Sequence, residues 1–220
     1  MASHYDLEEQ EHIDRLKAFW AAWGNLITWA LVVVLAGVAA YNGWQYWERR
    51  QALQATALLD ELEQAARGAD ADRVRRVWND LQAQAPRTVQ AQQGALWTAR
   101  VLAEGGDVAE ARAALQFAVE RGRDPTLAAL ARLRLAALEL DAGQPDAALR
   151  WLQAELPQPL QPWAADRRGD ALQERGERDA AREAYRQAWA GLPVDSGYRA
   201  IVEAKLNALG IDPALSESKP

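Results

Sequence analysis

The chain has 220 residues, of which half are hydrophobic and a quarter charged, and a net charge of −6. It contains no cysteine, which excludes disulfides, thiol catalysis and sulfur-ligated metals, and its two histidines, His4 and His12, both lie near the N-terminus. The acidic balance argues against a nucleic-acid surface.

Residues 1–17 form an acidic tail, with Asp6, Glu8, Glu9, Glu11 and Asp14 against Arg15 and Lys17. Residues 18–47 then carry no charged side chain. A helix rises about 1.5 Å per residue, so about 20 apolar residues cross the hydrocarbon core of a bilayer. The run 24–43 has that length, and its centre, 26–40, is apolar apart from Thr28. Phe19, Trp20 and Trp23 precede it; Tyr41, Trp44, Tyr46 and Trp47 follow. Rings with a polar edge settle at the headgroup level, which makes Trp20, Trp23, Tyr41, Trp44 and Trp47 the expected membrane-interface anchors. Residues 18–47 therefore read as a transmembrane segment with aromatic flanks. A buried core helix is the plain alternative, but such helices are rarely apolar on every face. A cleaved signal peptide is the other: Val38-Ala39-Ala40 offers small residues, whereas the long acidic flank is the wrong kind of leader. Arg15, Lys17 and the terminal amine on one side and Arg49 and Arg50 on the other leave the orientation open by charge.

Residues 48–210 read as one helical domain, and 211–220 as a flexible tail. Ala, Leu, Arg, Glu and Gln dominate, β-branched residues are sparse, and no alternating strand pattern is present. Breaks at Gly68, Gly105-Gly106, Gly122, Gly143, Pro157, Gly176 and Gly191 cut the domain into helices of roughly 12 to 18 residues. Gly106-Asp107-Val108-Ala109-Glu110-Ala111 returns as Gly143-Gln144-Pro145-Asp146-Ala147-Ala148 and as Gly176-Glu177-Arg178-Asp179-Ala180-Ala181, 37 and then 33 residues on. Such periods mean a helical solenoid, in which each hairpin buries its apolar face on the next. In the last unit, Gly169 and Ala181 let two helices approach, Tyr185 fills the space between hairpins, and Pro193 ends the second helix. A weaker hairpin precedes the three, from Gln51 to Ala85, with Leu58, Leu62, Val74, Val77, Trp78 and Leu81 inward. Tyr198 to Leu209 reads as a cap, with Ile201, Val202, Leu206 and Leu209 on one face. The pattern is all-α and resembles tetratricopeptide repeats, most clearly in the unit from Gly169 to Pro193.

Nothing in the soluble part predicts chemistry. It has no histidine, no glycine-rich phosphate loop and no serine beside a visible base, so neither enzymatic activity nor a cofactor nor a metal is expected. Asp166 and Asp170 at i,i+4 spacing among Arg167 and Arg168 read as charge on a solvated face. In tetratricopeptide repeats the first helix of each hairpin lines a concave groove. Carried onto this chain, the resemblance implies a partner-binding face of Leu96 and Arg100, then Leu130, Leu133, Ala137 and Leu140, then Trp163, Asp166 and Asp170. Its apolar middle reads either as an open site for an extended apolar segment or as a stripe covered by a neighbouring helix.

The exit of the span, Gly43-Trp44-Gln45-Tyr46-Trp47, and the run from Ala95 to Ala103 followed by Gly106-Asp107 are similar to the YfgM-like ancillary subunit family of the bacterial SecYEG translocon. That resemblance covers nearly the whole chain. It implies a single-pass inner-membrane protein, N-terminus cytoplasmic and repeat domain periplasmic. It further implies partners in the SecYEG translocon, a PpiD-like membrane-anchored chaperone and translocating polypeptides, and a non-catalytic role in linking translocation to periplasmic chaperones. The absence of cysteine suits an oxidising compartment. The alternative is a structural scaffold of another cell-envelope assembly or division complex. The chain departs from the family in being rich in Trp and Arg and poor in Lys.

Overall fold

The computed structural model describes residues 7–213, with side chains from His12 onward. Residues 1–6 of the acidic tail and 214–220 of the expected C-terminal tail lie outside the described residues. The chain divides into two units, Met1–Arg50 and Gln51–Pro220, each described by itself. Helix α1 (Leu7–Arg67) begins in the first and ends in the second.

In the first unit, Gly24 is the one buried residue between 18 and 47, with the Trp20 ring lying over it. Every other apolar side chain of the stretch faces outward, including Trp20, Trp23, Tyr41, Trp44 and Trp47. An all-round apolar helix with its side chains outward is not a soluble core helix, and the exposed area far exceeds an ordinary surface patch. The helix is long and apolar enough to cross a membrane. Thr28, the one hydroxyl in its apolar centre, donates to the Gly24 carbonyl at 2.8 Å, which satisfies it without a partner helix. Near the end of the unit, polar groups pair along the helix: Gln45 Nε2 donates to the Tyr41 hydroxyl at 2.9 Å, and Arg50 lies over the Tyr46 ring.

The second unit is an all-α stack. The last turns of α1 pair with α2 (Ala71–Gln84); α3 (Val89–Glu104) pairs with α4 (Val108–Glu120), α5 (Pro125–Asp141) with α6 (Pro145–Trp151), and α7 (Gln161–Glu174) with α8 (Arg178–Gly191); α9 (Gly197–Ala208) follows. From α2 onward each helix packs on the next, and α3 touches α5 as α5 touches α7, the neighbour pattern of a solenoid. Leu62, Val74, Val77, Trp78 and Leu81 are buried as their spacing predicts, while Leu58 is half-buried.

The repeated turns share one geometry. Gly106, Gly143 and Gly176 adopt φ of +88°, +66° and +79°, and the residue after each donates its N–H five residues back, Asp107 to Leu102, Gln144 to Glu139 and Glu177 to Leu172, at 2.8–2.9 Å. This is the left-handed C-terminal cap that glycine favours. Two further copies escape the sequence motif. Gly210 takes φ +82° after α9, and after α1 it is Ala69 that takes φ +51°, with Asp70 bonding back to Ala65 at 3.1 Å.

Three expectations need correction. The second helix of the middle hairpin stops at Trp151, well short of Pro157. The chain instead turns inward, and Leu152 and Leu156 plug the core between hairpins. In the cap, Val202, Leu206 and Leu209 face inward at i, i+4 and i+7, but Ile201 is half exposed, roughly 100° away around the helix. The third is the Asp166 carboxylate, which is fully buried rather than solvated. The packed structure also reaches Ile211, whose N–H bonds Leu206 at 3.0 Å.

Candidate functional site

The first helices of successive hairpins, α3, α5 and α7, form one inner row, and their outward stripes line a shared face. Of the residues expected there, Leu96 is buried in the first core cluster and Arg100 is exposed. On α5, Leu130 and Ala137 are half-buried, whereas Leu133 and Leu140 are buried beneath α6 and α7 in the second cluster. The reason is angular. At 100° per residue, 130, 134, 137 and 141 fall on one stripe, and 133 and 140 lie roughly 60–80° round toward the core. The open stripe of α5 is thus Leu130, Arg134, Ala137 and Asp141. On α7 it is Trp163, Arg167, Asp170 and Glu174, with Asp166 tucked beneath.

A pocket of about 400 Å³ opens on this face, walled by Ala137, the edge of Leu140 and Asp141 from α5 and by Asp170 and Glu174 from α7, with Tyr185 of α8 and Lys205 of α9 closing it. Three of the expected residues, Ala137, Leu140 and Asp170, therefore meet at one place. Leu96, Arg100, Leu130, Leu133 and Trp163 do not line it. Trp163 instead lies against Tyr198 of α9, ring centroids 4.4 Å apart.

Behind the pocket a polar network ties α7, α8 and α9 together. Lys205 Nζ donates to Asp166 Oδ1 at 2.7 Å and to Asp170 Oδ1 at 2.6 Å. The Tyr198 hydroxyl donates to Asp166 Oδ2 at 2.6 Å, and the Tyr185 hydroxyl donates to Asp170 Oδ1 at 2.8 Å. Arg167 Nη1 reaches Asp170 Oδ2 at 3.2 Å. Both oxygens of the buried Asp166 are thus satisfied, as a buried carboxylate requires. Burial, and then the Asp170 carboxylate, push the Tyr185 hydroxyl well above the ordinary phenol range. Burial and the hydrogen bond to Asp166 do the same to Tyr198. Burial alone would lower Arg167, but Tyr198, Asp170 and Asp166 raise it on balance. The two phenols are thereby held neutral as hydrogen-bond donors, which suits a structural lock between α7, α8 and α9.

Two further polar contacts hold the inner row in register, and neither has a sequence signature. Gln92 is fully buried; its Nε2 donates to the Ala118 and Asp124 carbonyls at 3.0 and 2.9 Å, and its Oε1 accepts the Asp124 N–H at 2.9 Å. A Cβ on Gly122 would stand 2.0 Å from that amide, so a glycine is needed at the turn. Arg112 grips Glu139 with two bonds, at 2.9 and 3.1 Å, joining α4 to α5. Among the described residues no group of His, Asp and Glu side chains is placed to hold a metal.

Comparison with known proteins agrees with this architecture. The family described as a tetratricopeptide repeat-like domain matches residues 17–211. A protein of Neisseria gonorrhoeae named "Ancillary SecYEG translocon subunit" is 29% identical over 95% of this chain and all of its own length. Proteins of the same name from Haemophilus influenzae and Escherichia coli K12 are 29% and 28% identical, covering 84% and 92% of this chain and 90% and 97% of their own. No solved structure matches. With the uncharged stretch 18–47 of its N-terminal helix, a stack of four hairpins and a cap among the described residues, all inside the matched span, the chain belongs to the tetratricopeptide repeat-like domain family and is a YfgM-like member of it.

Proposed function

We propose that this protein is a non-catalytic, membrane-anchored ancillary subunit of the SecYEG translocon, with α1 crossing the inner membrane once and the repeat domain on the periplasmic side. The observation that carries the reading is the extent of the match. The family similarity begins at residue 17, at the edge of the uncharged stretch, and runs through the cap, so anchor and repeats are matched as one unit. The relatives' shared name supplies the translocon, and the inner-row face supplies a surface for an extended partner segment. We assign that surface to Arg100, Leu130, Ala137, Asp170 and the edge of Leu140, with a PpiD-like chaperone or a translocating chain as the occupant. An apolar contact of this size gives weak, releasable binding, since burial is worth roughly 25 cal/mol per Å² before ordering costs. The anchor offsets the weakness by raising the local concentration beside the translocon.

Site-specific photocrosslinking tests the reading. A crosslinker in place of Ala137, in native membranes, should capture translocon subunits, a membrane-anchored chaperone or chains in transit. Capture of envelope-assembly or division proteins alone would favour the scaffold alternative.

A further inference from the structure

The open stripe of α5 changes sign along its length. At one end Arg134 Nη1 donates to the Leu96 carbonyl at 2.8 Å. Arg100 stands one helical turn beyond Leu96 on α3; burial, and then the like charge of Arg100, hold the Arg134 guanidinium below the ordinary value. Neither arginine has an ion-pair partner among the described residues. Two turns further along the same stripe stands Asp141, exposed at the pocket mouth, with Glu174 of α7 exposed on the opposite wall. The pocket's own cations do not answer them: Lys205 is committed to Asp166 and Asp170, and Arg167 to Asp170. Asp141 and Glu174 have no cationic partner among the described residues. Ala137 and the edge of Leu140 form an apolar step between the two ends.

Unpaired like charges add nothing favourable to folding, and opposite signs along one helix stripe, from Arg134 to Asp141 at the pocket mouth, select a partner by charge order. An anionic lipid or a nucleic acid would be repelled by the acidic end. Arg134 and Asp141 are seven residues apart on a helix, or about 10 Å along its axis. An extended chain covers that distance in about three residues. We propose that this groove binds an extended polypeptide segment bearing an acidic and a basic residue about three positions apart, the acid against Arg100 and Arg134 and the base against Asp141 and Glu174. The proposal rests on the reading of the inner-row face as the partner surface and adds the partner's chemistry to it.

The test uses the full chain in detergent micelles. The chain has no cysteine, so Ala137→Cys accepts a single environment-sensitive fluorophore in the groove. The probes are three synthetic eight-residue peptides with the same apolar residues, carrying Glu and Lys three apart, two Glu, or two Lys. The mixed peptide should bind roughly tenfold more tightly than either other, since each exposed ion pair is worth a few-fold in affinity. Asp141→Lys with Glu174→Lys should transfer the preference to the two-Glu peptide, and Arg100→Glu should abolish the preference for an acid. All three positions are exposed, so these variants should keep the wild-type circular dichroism spectrum. Equal binding of the three peptides, or an order unmoved by charge reversal, overturns the charge selection while leaving the partner surface in place. No response to any peptide sinks both. A signal that grows with protein concentration alone assigns the face to a second copy of this chain and also overturns the proposal.

Discussion

The buried Asp166–Lys205 pair gives the sharpest energetic prediction. Lys205→Met keeps the length and most of the volume of the side chain but strips Asp166 of its hydrogen-bonded ammonium, leaving it fully buried with the Tyr198 hydroxyl as its remaining hydrogen-bond partner. Removing one member of a buried pair costs about 3–5 kcal/mol. In a domain of this size each kcal/mol moves Tm by about 2–4 °C, so the variant should melt about 6–20 °C below the wild type at pH 7. The double substitution Asp166→Asn with Lys205→Met should recover most of the loss. Circular dichroism melts of the full chain in detergent at pH 7 read both variants. A Lys205→Met protein within about 2 °C of wild type, on the scale of about 2–4 °C per kcal/mol, would refute the reasoning.

Other outcomes follow from single positions. Ala69→Gly should raise stability by about 1 kcal/mol, because it relieves a left-handed alanine, and a denaturant melt with a lower midpoint would contradict the turn geometry. Gln92→Ala should cost about 1–3 kcal/mol by orphaning the Asp124 N–H and two carbonyls, with faster hydrogen exchange at the α4–α5 turn. The domain should weaken above about pH 10: an unfolded chain ionises its tyrosines there while the fold keeps Tyr185 and Tyr198 neutral, so stability present below that pH falls by about 1.4 kcal/mol per unit for each phenol retained. Tyr185→Phe and Tyr198→Phe should each flatten that alkaline limb. Protease added to intact spheroplasts should degrade the repeat domain; full protection there places it in the cytoplasm.

The parts of the fold legible in the sequence were those set by composition and spacing. The uncharged run 18–47 announces the apolar helix because no soluble core accounts for its all-round character. The glycine turns announce the hairpins because left-handed caps favour that residue, and the same logic set the break after α1 at Gly68, one residue before the left-handed Ala69. The face of α5 was harder. Its leucines are dense enough that a surface stripe and a core stripe share one helix, and only the neighbours, α6 and α7, decide that Leu133 and Leu140 are core while Arg134 stays half-buried and Asp141 exposed. Asp166 was misplaced for a similar reason. Its partners Tyr198 and Lys205 come from α9, more than 30 residues later, and no local pattern connects them. Gln92 gave no signal at all, since a buried amide looks like any other glutamine in a helix-forming sequence.

The central claim is association with the translocon through a membrane-anchored repeat protein. Affinity purification of the tagged full chain from detergent-solubilised native membranes, followed by mass spectrometry, tests it most directly. SecY and SecE should be recovered with the chain. Recovery of envelope-assembly or division proteins without any translocon subunit would contradict it.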